Sequence, residues 1–287
     1  MSLLCLKQKL LRDLRKFLPY FIKNTVKLFY QTENCGRSAE MENIRIIAEP
    51  SEKNPFAVIY KPRGLASAPL VEGDDSAFTR AAGIFPELKD VHGIKAVEGG
   101  LVHRIDTVTD GILVIASTQQ SYDSFILQQK EGQFIKEYTA LCRYQKNLPE
   151  GFPPCTADRE KISACMQSRS FFKLSSLFRP FGKKGSAVRP VRTDGVSGRA
   201  EQKKAGTKIY TTEILLEKGT DHDVFKATCR ITAGYRHQVR CHLCWCGFPV
   251  TGDRVYSLSG IEEDFSFTAS SLSFLHPVSS ERISFSV

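Results

Sequence analysis

Short β-type runs recur along this chain without alternating regularly with helical ones, and that pattern limits the folds open to it. Residues 56–60 form one such run, closed by Lys61-Pro62 because proline cannot donate to a sheet ladder. Others are predicted at 111–116, 134–142, 208–217, 224–232, 271–275 and 282–287. Two segments of the central chain read as helices. One covers 119–129; the other covers 235–246, opening after Gly234 and stopped by Gly247 and Pro249. A doubly wound protein needs repeated strand–helix–strand units, which are missing here. The pattern therefore predicts an α+β fold with a mixed, mostly antiparallel sheet and flanking helices.

The two ends of this pattern differ in character. Leu3, Leu4, Leu6, Leu10, Leu11, Leu14 and Leu18 fall at helical spacing among Lys7, Lys9, Arg12, Arg15 and Lys16. Residues 1–42 thus read as a basic amphipathic extension, broken near Pro19, ahead of a main domain at 43–287. The same lysines and arginines interrupt any signal-peptide core, and no apolar run nears the roughly 18 residues of a membrane span. Nine cysteines scattered without framework spacing suit a reducing compartment, so a cytoplasmic protein with no membrane partner is expected.

Charge sharpens the expectation. The chain carries a net +9, and residues 159–208 alone hold thirteen Lys/Arg against Glu160, Asp194 and Glu201. That stretch lies within 146–207, which is rich in Pro, Gly, Ser, Lys and Arg and reads as a basic excursion from the domain. Positive charge gathered in two segments, with an acidic remainder, points to an acidic polymer as partner.

Candidate chemistry centres on the run His103-Arg104-Ile105-Asp106-Thr107-Val108-Thr109-Asp110-Gly111. It enters an apolar strand, so its polar residues sit on a loop at the strand's mouth. A carboxylate there, beside an arginine, suits a nucleophile or base more than a general acid. By spacing alone Asp106 serves equally well as a turn cap, and Asp110 permits a paired-carboxylate glycosidase. In 235–246, Arg236 and Arg240 are four apart and would share a helical face, ready for phosphates or for a buried carboxylate such as Asp106. Cys241-His242-x-Cys244-x-Cys246 is discounted as a metal site, because adjacent Cys and His point to different helix faces and no second cluster completes it.

Six segments in order carry a family resemblance. His103-Arg104-Ile105-Asp106 with Thr109 and Gly111 resembles the HRLDxxTSG motif of the RluA family of RNA pseudouridine synthases, and Gly234–Leu243 is similar to that family's GRxHQIRxHL. Lys61-Pro62-x-Gly64, Lys136-Glu137-Tyr138-Thr139-Ala140, Phe178-Arg179-Pro180 with Val188-Arg189-Pro190-Val191, and Gly247-x-Pro249 with Gly252-Asp253 and Tyr256 resemble further family segments. Ile105, Asp110, Tyr235 and Ser257 depart from the family pattern. The resemblance implies the pseudouridine synthase fold with a central RNA-binding cleft. It also implies an isomerase that needs neither cofactor nor metal and acts on ribosomal or transfer RNA, and a monomer is expected. Asp106, Tyr138 and Arg240 would be catalytic, and Arg104, His103, Lys61, Arg236, His237 and Gln238 would contact RNA. A non-catalytic RNA-binding or ribosome-assembly protein on the same fold is the competing expectation.

Overall fold

The computed structural model describes residues 43–219, 223–260 and 263–287, so the predicted amphipathic helices of the first thirty residues lie outside the described residues. Toward one end of the sheet lies a strand pair whose sequences are mostly apolar. β1 (Arg45–Ala48) leads into β2 (Phe56–Lys61), and β2 pairs antiparallel with β3 (Asp110–Ala116) from Phe56↔Ala116 to Lys61↔Gly111. Both faces of this pair are buried, which explains its near-continuous run of Val, Ile and Leu. One face carries Ala57, Ile59, Leu113 and Ile115 and is covered by α1 (Ala77–Ile84), a helix opened by a capping box between Ser76 and Thr79. The other face carries Phe56, Val58, Ile112 and Val114 under α2 (Gln119–Glu131), whose C-terminus ends on Gly132 in the left-handed conformation. Phe125, Phe134 and Phe274 complete that second core with edge-on and stacked rings 5.0–6.0 Å apart. Each such buried phenyl stabilises the fold by about 1.5–3 kcal/mol.

Beyond β3 the sheet continues through β4 (Ile135–Arg143), β5 (Phe172–Phe181), β6 (Ala187–Val191), β7 (Tyr210–Lys218), β8 (Val224–Ile231), β9 (Phe267–Leu275) and β10 (Arg282–Ser286). The strand order is β1-β2-β3-β9-β4-β8-β7-β5-β6, with β10 paired to β9. Among the described residues the short β3–β9 contact is parallel and the other ladders are antiparallel, so the α+β expectation with a mixed, mostly antiparallel sheet holds. At that parallel contact Gly111 is obligatory: a Cβ there would lie 2.2 Å from the carbonyl oxygen of Ala269.

Residues 146–207, an excursion by composition, contain real elements. They hold α3 (Arg159–Ser168), β5, β6 and a short α4 (Arg199–Lys204), and β5 adds to the main sheet beside β7. Several of the segment's charges are absorbed internally. Arg189 lies between the rings of Phe152 and Phe181 at 4.5 and 4.2 Å, and Arg179 pairs with Glu201. The remaining helix, α5 (Gln238–Trp245), is shorter than predicted, because His237 takes a left-handed backbone (φ 56°) that breaks the helix before it.

Candidate active site

Asp106 sits on the loop between the Leu101↔Ile115 bridge and β3, and neighbouring backbone fixes that loop at several points. The Ser67 hydroxyl donates to the Ile105 carbonyl at 2.7 Å and accepts from the Ile105 N–H at 3.1 Å. Gly64 N–H donates to the Thr107 carbonyl at 2.8 Å, and the Asp106 carbonyl accepts from Thr109 N–H. Gly64 turns with φ 86°, so the Lys61-Pro62-Arg63-Gly64 turn braces the loop that carries the carboxylate.

Arg240 meets Asp106 from α5. Its Nη1 donates to Asp106 Oδ2 at 2.8 Å, while Nε and Nη2 form a two-pronged pair with Asp253, both at 2.8 Å. The side chain of Asp253 is fully buried and that of Arg240 nearly so, whereas the Asp106 side chain is 24% exposed. Burial works against the Arg240 charge, but the hydrogen bonds and charges of Asp253 and Asp106 outweigh it and hold the guanidinium firmly protonated. Phe265 and Tyr256 lie against its planar face, 5.2 and 5.4 Å from the guanidinium carbon. His237 Nε2 is 3.6 Å from the same Asp106 oxygen, and burial, more than the neighbouring arginines, lowers its pKa. Among the described residues Asp106 Oδ1 accepts no hydrogen bond. One carboxylate oxygen is therefore anchored and the other is open to a ligand.

Tyr138 projects from β4, buried and stacked on Phe267 with centroids 5.2 Å apart and planes 9° from parallel. Burial pushes its phenol upward, and the nearby Asp106 charge adds to the shift. The hydroxyl therefore stays protonated at neutral pH. β4 and β9 neighbour one another in the sheet, so Tyr138, Phe267 and the Asp106–Arg240 pair share one part of the molecule.

Of the residues expected to contact RNA, Arg104 and Arg236 keep accessible surface. Arg104 is more than half exposed and donates to Glu98, and Arg236 bonds the carbonyls of Gly185 and Ala187. Arg236 lies outside α5, so it does not share a helical face with Arg240. Lys61, His103 and Gln238 are all three buried. Lys61 donates to the carbonyls of Pro62, Leu65 and Thr107. Gln238 donates to the Thr211 carbonyl and accepts from Tyr235 N–H, and His103 accepts from Val114 N–H while packing on Phe134. The Lys61 amine, the Gln238 amide and His103 Nε2 thus bond backbone groups, while His103 Nδ1 is buried with no hydrogen-bond partner among the described residues. Asp253 was legible only as part of a motif, with no role attached. Asp110 gains a role: it accepts from Tyr60 at 2.6 Å, Arg63 at 2.9 Å and Thr268 at 3.1 Å, and so knots β2, β3 and β9 together. The Cys241, Cys244 and Cys246 thiols donate to nearby carbonyls within the core.

Lys61 allows a pH test of this bracing. Burial lowers its pKa to about 8, against partial support from Asp110 and Asp106, while in the unfolded chain it titrates near its ordinary 10.5. Between these values the unfolded state holds more protons, so the lysine's contribution to stability rises with pH. The stability of the wild type relative to Lys61→Met is expected to climb by up to about 1.4 kcal/mol per pH unit from pH 8 to 10, read by denaturant unfolding. A pH-independent difference would show that the amine is not buried as described.

The family model for RNA pseudouridylate synthase matches residues 55–245. The chain is 26% identical over 258 residues to the "Uncharacterized RNA pseudouridine synthase YlyB" of Bacillus subtilis, covering 86% of this chain and 72% of that protein. It is 25% identical over 238 residues to the "Ribosomal large subunit pseudouridine synthase D" of Xylella fastidiosa, covering 77% of this chain and 59% of that protein. The structure of human RNA pseudouridylate synthase domain containing 1 shares the fold, with a TM-score of 0.57 at 20% identity over 88% of this chain and 85% of that one.

Proposed function

Since the chain belongs to the RNA pseudouridylate synthase family, we propose how it carries out that isomerisation and on which RNA. The reaction breaks the bond from C1′ to N1 of a uridine, turns the base and joins C1′ to C5. C5 loses its proton and N1 gains one, so atoms balance without a co-reactant. The observation that carries the reading is the Asp106 carboxylate, with one oxygen held by Arg240 and the other open beside buried Tyr138.

The open oxygen either attacks C1′ or takes the 2′ proton to give a glycal, and both routes need an ionised, fixed carboxylate. Arg240 holds it ionised and oriented. Tyr138, itself backed by Phe267, stacks on the uracil and passes on the C5 proton. Such an enzyme reaches its atom only by extruding the nucleotide, and Arg104 occupies the space left behind. Arg236 and His237 flank the strand near the site. Exposed lysines of 159–208, with the basic residues of 1–42, grip phosphates and set affinity and salt dependence, while the ease of splaying a loop sets target choice. We place the enzyme in the cytoplasm as a monomer with no membrane partner; among the described residues no helix is long and apolar enough to cross a membrane.

Ribosomal or transfer RNA is the substrate class, and ribosomal RNA is favoured because several relatives carry the name ribosomal large subunit pseudouridine synthase D. The test is to incubate the protein separately with ribosomal and transfer RNA from cells lacking its gene, and to map new pseudouridines. Product at a defined position of large-subunit ribosomal RNA is expected. Product in transfer RNA alone would reassign the substrate.

A further inference from the structure

Lys136 lies on β4 two residues before Tyr138, on the same face of the strand, and is only 5% exposed. Its surroundings differ sharply from those of Lys61. The Lys61 amine gives its protons to three carbonyls, whereas Lys136 has neither a hydrogen bond nor an ion pair among the described residues. Among the described residues its charge acts on the buried His103 ring, and a second cation, Lys208, acts on it in turn and also lacks a carboxylate partner there. Lys208 is exposed and lies over the Tyr210 ring, 5.4 Å from its centroid. A buried cation facing another cation is unfavourable unless an anion completes the site.

The backbone beside the amine carries no side chain. Gly234 sits against the amine: a Cβ at that position would lie 3.2 Å from Lys136 Nζ, so any larger residue would crowd it. Gly234 begins the turn that brings His237 to 3.6 Å from Asp106, which ties this amine to the same edge of the site as the carboxylate. Burial and Lys208 lower the Lys136 pKa to about 8, so the amine is charged in most molecules at neutral pH.

We propose that Lys136 and Lys208 form a phosphate pocket, open past Gly234, that binds a phosphodiester of the RNA strand whose uridine meets Asp106. This rests on the isomerase reading and deepens it by giving the strand a fixed anchor beside the reacting nucleotide. The pocket positions the substrate and takes no part in bond making.

The test measures affinity of wild type, Lys136→Met and Lys208→Met for a short uridine-rich single-stranded RNA across a range of salt concentrations. Loss of one phosphate contact is expected to flatten the slope of log affinity against log salt by about 0.7 and to weaken binding several-fold at low salt. Lys208 is exposed, so its replacement leaves folding intact and decides the matter if Lys136→Met folds poorly. Wild-type slopes in Lys208→Met and in a folded Lys136→Met would overturn the pocket. Pseudouridine formation by the wild type on ribosomal and transfer RNA is measured alongside. Product with unchanged slopes removes only the pocket, and flattened slopes without product remove only the isomerase reading.

Discussion

Arg240→Met is expected to damage stability and activity together, because one guanidinium serves two carboxylates. Asp253 is fully buried and would keep only the backbone N–H groups of Val255 and Tyr256. Removing one partner of a buried ion pair costs about 3–5 kcal/mol, since the other charge stays behind without compensation. Activity is expected to fall by at least about 100-fold, as Asp106 loses the donor that fixes it. Denaturant unfolding and initial rates measure the two effects. Arg240→Lys supplies a charge without the planar fork. It should recover part of the stability and little of the rate, because a single ammonium cannot bridge Asp253 and Asp106 at once. A variant as stable and active as the wild type would show that the Asp106–Arg240–Asp253 chain is incidental.

Much of the sheet was legible because its strands carry apolar or alternating runs; β2, β3, β4, β7 and β8 lie within a few residues of their predicted positions. β5 was hidden. Its buried positions alternate, but Lys173, Ser175, Arg179 and Pro180 interrupt them within a segment that composition marks as loop. α1 was missed although Ser76 and Thr79 form its capping box, since a helix of eight residues barely develops a period. In the site, the loop bearing Asp106 and the strand bearing Tyr138 were readable as motifs. The break at His237 was not, because a left-handed residue leaves no trace in helical spacing, and it is this break that separates Arg236 from Arg240. Lys61, His103 and Gln238 look like ligands for RNA by residue type, yet each serves a backbone group in the interior. Residue type reports what a side chain can bond, while burial decides with whom. Asp110, unexplained in sequence, proves to hold three strands together through Tyr60, Arg63 and Thr268.

Asp106→Asn has the largest expected effect on chemistry and the smallest on structure. The amide is nearly the same shape, its oxygen still accepts from Arg240, and the site is partly exposed, so stability should change by less than about 1 kcal/mol. The open carboxylate oxygen becomes part of an uncharged amide, which neither attacks C1′ nor takes a proton. Losing a nucleophile or base that has no substitute costs about 10⁴-fold or more. Asp110→Asn is the matching control, because its oxygens are occupied by structural donors and it should keep most of its activity if it folds. The decisive measurement is the amount of pseudouridine formed per molecule of RNA by wild type and by Asp106→Asn, with binding of the same RNA checked in both. Product from the wild type and none above background from the equally well-bound variant is the predicted result. Equal product from both would contradict the assignment of Asp106.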